Sequence, residues 1–205
     1  MIIIKLGALG DVVRTLSLAE ALHKRYPKSE ITWITKKNAL EIFDNNPFIK
    51  KVLPIPFQSS VEFTKLYNFD IEIEATQLAQ STKAKEKFGF YSEDSFPMAY
   101  NVGSEYYLNT LFNDDLKKSN KKTYQEMMFD AAELNYEKIL PKIYLTQKEI
   151  SFGKEFISKN NIKNKLIGIH IGGGGERWPS KEWHIIKVIE LIKEIKLRSN
   201  EVLLF

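Results

Sequence analysis

Short apolar runs alternate with segments of helical spacing in the first third of the chain. The apolar run at 2–6 is followed by helical spacing over 11–26. Two further apolar runs, at 31–35 and 52–55, flank a short helical segment at 38–43. Strands separated by helices predict a parallel sheet with right-handed crossovers, because a hairpin cannot join parallel neighbours. The pattern is therefore typical of a doubly wound α/β fold.

The periodicity weakens in the middle of the chain. Four elements are indicated there: a helical turn at 62–67, a strand at 70–74, a helix at 77–87 and a small strand at 88–91. The polar run within 92–122 predicts a surface loop, since it has no regular apolar spacing. These elements add a fourth strand and a small fifth strand to the first domain.

A second α/β unit follows a predicted linker at 136–146, which contains Pro141 and has no clear period. The remaining predictions are helices at 123–134, 147–161 and 183–195 and strands at 166–171 and 202–205. We therefore expect domains at 1–140 and 147–205. The second domain looks incomplete, because one β-α-β unit cannot cover both faces of its sheet.

Composition excludes several classes of function. The chain has 205 residues, 43% of them hydrophobic, which is enough for a globular core. It has no cysteine, so thiolate nucleophiles and disulfides are excluded. The net charge of +4 is spread thinly along the chain, which argues against a nucleic-acid partner. No apolar stretch reaches the ~20 residues of a membrane span or the length of a signal peptide, so a cytoplasmic location is expected.

The first loop that could carry chemistry consists of Gly7, Ala8, Leu9 and Gly10, followed by Asp11. Its glycines allow the backbone to pass close to a ligand beyond the carboxyl end of a strand. Asp11 has two interpretations of equal weight: an N-cap of the following helix, or a general base acting on a sugar hydroxyl. The Gly-x-x-Gly spacing lacks the dinucleotide-binding fingerprint, which counts against a dehydrogenase.

The second such loop follows the predicted strand at 166–171. It contains four consecutive glycines with two cations close behind them: Gly172, Gly173, Gly174, Gly175, Arg177 and Lys181. A glycine turn between a strand and a helix, with cations beside it, favours a phosphate-binding loop for a diphosphate. The alternative is a flexible turn with two solvated cations. The spacing is not that of a Walker loop, so nucleotide hydrolysis is not predicted.

No metal site is predicted from the acidic and histidine residues. Glu72 and Glu74 alternate within a predicted strand, where they are more typical of a solvated face than of metal ligands. The three histidines, His23, His170 and His184, are scattered along the chain. We interpret them as packing or surface residues.

Two motifs resemble those of a known family. Residues 5–16, with Gly7, Gly10 and Asp11, resemble the opening motif of the ADP-heptose:lipopolysaccharide heptosyltransferases, glycosyltransferase family nine. Residues 168–183 resemble that family's entry into its donor domain. Residues 70–72 and 83–90 resemble further family segments between them, so the resemblance covers nearly the whole chain.

The resemblance implies a GT-B architecture, in which two Rossmann-like domains face a cleft. It implies that Asp11 is the catalytic base, that residues 7–10 form the acceptor-side wall, and that Lys181 contacts donor phosphate. It implies no metal and no cofactor, since Lys181, Arg177 and loop amides would stabilise the departing diphosphate. The donor would be a nucleotide-sugar, and the family resemblance favours ADP-heptose.

The implied function is an inverting transfer of heptose to a lipopolysaccharide core or similar glycan, with peripheral association at the cytoplasmic membrane face. A different nucleotide-sugar donor, or a sugar- or nucleotide-binding fragment without turnover, are the alternatives. Ser17 and His184 stand where the family commonly has proline, and Glu176 adds a negative charge beside the donor loop. The family's later donor-domain segments lie beyond Phe205, so we expect that the chain alone is inactive.

Overall fold

The computed structural model describes residues 1–163, 166–172 and 182–198. The chain divides into two compact units, Met1–Leu145 and Thr146–Phe205. The predicted linker at 136–146 contains neither helix nor strand. Within the described ranges, no helix is both long enough and apolar enough to cross a bilayer.

The first unit is built on a six-stranded sheet of order β3-β2-β1-β4-β5-β6. Its strands are β1 Ile2–Ile4, β2 Thr32–Thr35, β3 Lys51–Pro54, β4 Phe63–Asn68, β5 Ala84–Glu93 and β6 Phe96–Ala99. All neighbouring pairs are parallel except β5 and β6. The predicted doubly wound α/β fold is confirmed.

Seven helical segments surround this sheet. They are α1 Leu9–Thr15, α2 Ser17–Arg25, a 3-10 helix Lys37–Phe43, α3 Ile73–Ser81, α4 Val102–Phe112, α5 Asp114–Ser119 and α6 Tyr124–Ala131. The helix predicted at 11–26 therefore begins two residues earlier and is interrupted at Leu16. Ser17 is the first residue of α2, a position where proline, common there in the resembled family, fits a helix without losing an internal hydrogen bond.

Alternation along β1 separates the core into two clusters. Ile3 faces a larger cluster with Trp33 and Tyr67, which α1, α2 and α6 cover. Ile2 and Ile4 face a smaller cluster, which α3 covers. All three isoleucines of β1 are fully buried. A central parallel strand that is covered on both faces has a continuous run of apolar residues. For this reason the sequence predicts β1 correctly.

The strand predicted at 88–91 lies within β5, but the other predictions for 62–91 are largely wrong. The helical turn expected at 62–67 is β4, and the strand expected at 70–74 is a loop followed by the start of α3. The helix expected at 77–87 comprises the end of α3 and the start of β5. β4 pairs with β1 and β5 on either side, and this pairing overrides the helix-like spacing of its apolar residues.

The surface loop expected at 92–122 is also wrong, because this segment forms β6, α4 and α5. α4 has little amphipathic pattern, but Tyr107 packs its ring against Phe90 of β5, with centroids 5.5 Å apart. Tertiary contact of that kind stabilises a helix whose sequence pattern is weak.

The second unit contains α7 Gln147–Lys159 and α8 Ile185–Arg198. Residues 166–171, where a strand is predicted, form no strand within the described residues. A β-strand is defined by hydrogen bonds to a neighbouring strand, which an extended sequence pattern alone does not supply. The strand predicted at 202–205, which would have supplied a neighbour, lies outside the described residues. Among the described side chains of this unit, only Ile169 and Val188 are buried.

Candidate active site at the carboxyl edge of the sheet

The candidate site lies where β1 and β4 end side by side in the sheet. From β1 the chain crosses to β2, and from β4 it crosses to β5 on the opposite side. The two connecting loops therefore diverge and leave a crevice, which is where doubly wound folds bind ligands. The loop after β1 carries Gly7 and leads into the first turn of α1 with Asp11, and the loop after β4 carries Asp70 and Glu72.

A buried ion pair joins these two loops. Asp70 Oδ2 lies 3.4 Å from Lys5 Nζ and accepts a 3.0 Å hydrogen bond from the Leu6 amide. Lys5 Nζ also donates to the Phe69 carbonyl at 2.9 Å. The two charged side chains are only 7% and 5% exposed. Each charge is therefore satisfied by the other loop, which fixes the separation of the loops.

Asn68, the last residue of β4, holds Asp70 from behind. Its side-chain amide donates to the carbonyls of Asp70 and Phe90 at 2.9 and 2.7 Å, and its Oδ1 accepts from the Asp70 amide at 3.1 Å. The backbone of Asn68 is in turn approached by Gly89 of β5, where a Cβ atom would lie 1.9 Å from the Asn68 carbonyl oxygen. Gly89 has a φ of +90°, so this close approach requires glycine.

The pKa of Lys5 is raised above its ordinary value despite burial. Burial alone would lower it, because desolvation disfavours the charged amine. The oxygens of Tyr124 and Asp70 outweigh that effect by favouring the ammonium form. Lys5 therefore remains a fixed positive charge at the floor of the site.

Asp11 differs from Asp70 in its surroundings. It is the third residue of α1, whose N-cap is Ala8, and it makes no capping hydrogen bond, so the N-cap interpretation is wrong. Its Oδ1 lies 2.7 Å from Arg14 Nη2, and its side chain is 38% exposed. Its Oδ2 accepts no hydrogen bond within the described part of the chain, although the charge of Asp11 also helps to raise the pKa of Lys5. One carboxylate oxygen is thus held while the other remains available.

Gly7 allows the two carboxylates to lie near one another. A Cβ atom at Gly7 would lie 3.3 Å from Asp11 Oδ2 and 3.4 Å from Asp70 Oδ2. Both oxygens therefore approach the same point from different loops. A larger residue at position 7 would push one of them away.

Tyr124 completes the site from a distant part of the sequence. It is the first residue of α6, and its ring centroid lies 3.5 Å from the guanidinium carbon of Arg14. Its hydroxyl lies 3.5 Å from Thr15 Oγ1. Sequence reasoning missed Tyr124 as well as the site contacts of Lys5, Arg14 and Asp70. Lys5 and Arg14 lie within the first motif, so the sequence could have identified them as site residues. No sequence pattern near Tyr124 links it to that motif.

The other predicted site residues fall into two groups. Of residues 7–10, Leu9 and Gly10 already belong to α1, and the space where a Gly10 Cβ would lie is open. Gly172 is described and exposed. The rest of the predicted donor loop lies outside the described residues: Gly173, Gly174, Gly175, Arg177 and Lys181. Its role stays a prediction.

Glu72, which was considered as a metal ligand, lies 3.5 Å from Lys36 Nζ at the rim of the site. Glu74 lies in the first turn of α3. Over residues 1–163, 166–172 and 182–198, no three His, Asp or Glu side chains are grouped so that they could hold a metal ion.

The chain is similar to known proteins in sequence and in fold, although no protein-family model matches it. It is 27% identical over 179 residues to the lipopolysaccharide core heptosyltransferase OpsX of Haemophilus influenzae, covering 80% of this chain and 49% of OpsX. The chain thus spans about half the length of that relative. The structure of a glycosyl transferase family 9 protein from Veillonella parvula is similar to this one, with a TM-score of 0.73 and 17% sequence identity. The alignment covers 100% of this chain and 62% of the Veillonella chain. The resemblance to glycosyltransferase family 9 is confirmed.

A second structure related to family 9 has the same fold. E. coli ADP-heptose LPS heptosyltransferase II aligns with this chain with a TM-score of 0.61 and 14% sequence identity. The alignment covers 100% of this chain and 63% of the E. coli chain. These structural similarities support the GT-B fold class inferred from the sequence. Residues 5–16, which carry the first resemblance, form the segment directly after β1 and the helix α1, and they supply Lys5, Gly7, Asp11 and Arg14 to the candidate site.

Proposed function

We propose that this chain is the acceptor-side part, with the beginning of the donor side, of an inverting glycosyltransferase. It would move a heptose from ADP-heptose to a lipopolysaccharide core or a similar glycan. The sequence similarity to OpsX, a lipopolysaccharide core heptosyltransferase, supports the class of reaction and acceptor. The observation that carries the proposal is the Oδ2 atom of Asp11, which lies at the switch point of the sheet and accepts no hydrogen bond from the residues that the structure describes.

Asp11 Oδ2 would accept the proton of the acceptor hydroxyl. The deprotonating oxygen attacks the anomeric carbon of the donor sugar, and the bond between that carbon and the diphosphate oxygen breaks with its electron pair leaving on the diphosphate. Attack from the face opposite the leaving group inverts the anomeric configuration. General-base assistance of this kind contributes ~10²- to 10⁴-fold to a rate.

Asp70 does not fit the same role, although it lies beside the same glycine. Its Oδ2 already receives the Leu6 amide and faces Lys5, and its Oδ1 accepts from the Glu72 amide at 3.4 Å. It is also only 5% exposed, so an acceptor hydroxyl could reach it only by displacing these partners. This contrast is the reason for assigning the base to Asp11.

The donor diphosphate would bind the glycine loop at 172–175, with Arg177 and Lys181 neutralising the charge that develops on it. Cationic side chains and backbone amides then perform the task that a metal ion performs in other transferases. Because the acceptor glycan is carried on a lipid, the protein would work as a peripheral protein at the cytoplasmic face of the membrane.

The proposal is tested by transfer assays with ADP-heptose, using both the 205-residue chain and the product of the complete reading frame. We expect Asp11→Asn to lower the transfer rate by ~10²- to 10⁴-fold in whichever form is active. Asp115→Asn, on the exposed helix α5, is the matched control and should retain the rate. Wild-type transfer by Asp11→Asn would remove Asp11 from the chemistry.

A panel of nucleotide-sugars, monitored by thermal shift, tests the donor separately. ADP-heptose should give the largest shift. A larger shift with a different nucleotide-sugar would overturn the choice of donor while leaving the role of Asp11 intact. Binding without any transfer by the complete product would instead indicate a binding protein.

A further inference from the structure

Arg14 is held between an aromatic ring and a carboxylate. Its guanidinium carbon lies 3.5 Å from the centroid of the Tyr124 ring, a distance typical of direct stacking, and its Nη2 lies 2.7 Å from Asp11 Oδ1. Its Nε is buried and has no hydrogen-bond partner within the described residues. The ring face and Asp11 are therefore what set the direction of the guanidinium.

Tyr124 is itself firmly anchored. It follows Thr123, which caps α6 through a reciprocal pair of hydrogen bonds with Glu126, at 2.6 and 3.2 Å. Its ring meets that of Tyr107 edge-on, with centroids 5.8 Å apart. Burial, and then the neighbouring Tyr124, raise the pKa of Tyr107, so the Tyr107 phenol stays protonated to a higher pH than an ordinary tyrosine. The ring under Arg14 is thus a fixed platform.

We propose that Tyr124 is a positioning residue for the transfer reaction, acting through Arg14 on Asp11. The stacked guanidinium holds Oδ1 of Asp11, and this contact would turn Oδ2 toward the crevice where an acceptor hydroxyl would lie. Without the ring, the guanidinium loses its platform, and the carboxylate loses a fixed orientation. This inference rests on the proposed role of Asp11 as the base.

Two variants of Tyr124 separate the ring from the hydroxyl. Tyr124→Phe keeps the face on which Arg14 stacks and removes the hydroxyl, which lies near Thr15 and favours the charged form of Lys5. Tyr124→Leu removes the ring and keeps an apolar side chain at the start of α6. Because small misplacements of a reacting group lower rates by up to ~10²-fold, we expect Tyr124→Leu to lower kcat by about 10- to 100-fold. The KM for the donor should stay within about threefold of the wild type, and Tyr124→Phe should stay within about threefold in both constants.

A second measurement needs no activity. Protons of Arg14 that lie over the Tyr124 ring should show upfield ring-current shifts in the NMR spectrum of the 205-residue chain. These shifts should persist in Tyr124→Phe and disappear in Tyr124→Leu, while the methyl signals of the buried isoleucines of β1 keep their positions. Absence of the shifts in the wild type would overturn the stacking on which the inference depends.

The kinetic outcomes distinguish this inference from the proposed function. If Asp11→Asn abolishes transfer and Tyr124→Leu keeps the wild-type kcat, only the positioning role fails. If Asp11→Asn keeps the wild-type rate, the proposed base fails, whatever the spectra show. Equal losses in Tyr124→Phe and Tyr124→Leu would assign the effect to the hydroxyl and overturn the role of the ring. Should Tyr124→Leu not fold, Arg14→Lys, which keeps the charge and loses the planar group, must show the same loss of kcat.

Discussion

Asp11, in the first turn of α1, and Asp70, in the loop after β4, both approach Gly7, yet their surroundings differ. Asp70 is buried against Lys5 and receives two backbone amides, whereas Asp11 is 38% exposed and has one ionic partner. A carboxylate whose oxygens are all engaged holds the protein together. A carboxylate with an oxygen that accepts no hydrogen bond from the protein can accept one from a ligand. The difference shows that proximity to a sheet's carboxyl edge does not by itself identify a reactive group.

The largest effect should follow from breaking the buried pair. Asp70→Asn leaves the charge of Lys5 buried without its partner, and removing one member of such a pair destabilises a protein by about 3–5 kcal/mol. The free energy of unfolding, measured with urea, should fall by that amount. Asp11→Asn, in the exposed carboxylate, should change it by less than about 1 kcal/mol. Equal losses in the two variants would contradict the contrast between them.

A smaller effect should follow from disturbing the support behind Asp70. Gly89→Ala places a Cβ atom against the Asn68 carbonyl in a backbone conformation with φ of +90°, so we expect a loss of at least ~2 kcal/mol. Gly10→Ala is the matched control on the Asp11 side. Its new methyl group meets open space within a helix, so stability should be unchanged or rise by up to ~1 kcal/mol. A stable Gly89→Ala protein would show that Asn68 has room to move.

Alkaline pH should weaken the Asp70 side of the site and the neighbouring core. The pKa of Lys5 is raised in the folded chain, so its contribution is complete below its ordinary value of 10.5 and is lost as the pH rises further. Burial, and then Tyr91, raise the pKa of Tyr100 from 10.0 to about 12, so its contribution falls with rising pH over that window. Urea midpoints should be level up to about pH 9.5 and then decline.

Tyr100→Phe is the control for the alkaline decline, since phenylalanine keeps the ring that stacks on Tyr91, with centroids 4.7 Å apart, but cannot ionise. Its urea midpoint should fall less steeply between pH 10 and 12 than that of the wild type. An identical decline in both proteins would mean that Tyr100 does not contribute to it.

The smallest effect should come from the ion pair at the rim. Lys36 and Glu72 are separated by 3.5 Å and are 39% and 57% exposed, so water screens their attraction. A double-mutant cycle with Lys36→Ala and Glu72→Ala should give a coupling energy below about 1 kcal/mol. A coupling comparable to the loss in Asp70→Asn would show that exposure does not separate the two kinds of pair.

Elements with a strong local pattern were predictable, and those set by tertiary contacts were not. β1 and α6 were recognisable because continuous burial and a single apolar face leave clear patterns. β4 was mistaken for a helical turn because Phe63, Leu66 and Tyr67 have helical spacing. In the fold, both faces of this strand are covered, so its apolar residues need not alternate.

The site divides in the same way. Asp11 was predicted because it lies in a short motif after an apolar strand. Asp70, by contrast, was placed in a strand, since residues 70–74 alternate between acidic and apolar side chains. Its partner Lys5 lies 65 residues earlier, and the ring of Tyr124 reaches Arg14 from 110 residues later. Nothing in one sequence reports such long-range pairing.

Among the residues that the structure describes, both hydrophobic clusters of the sheet draw their members from Met1–Leu145. Cutting the chain after Leu145 removes no residue from either cluster. This unit is therefore suited to building chimaeras, in which the part that carries Asp11 and its loops is exchanged between relatives without redesigning an interior. Such exchanges would show which loops determine the acceptor sugar to which the next sugar is transferred.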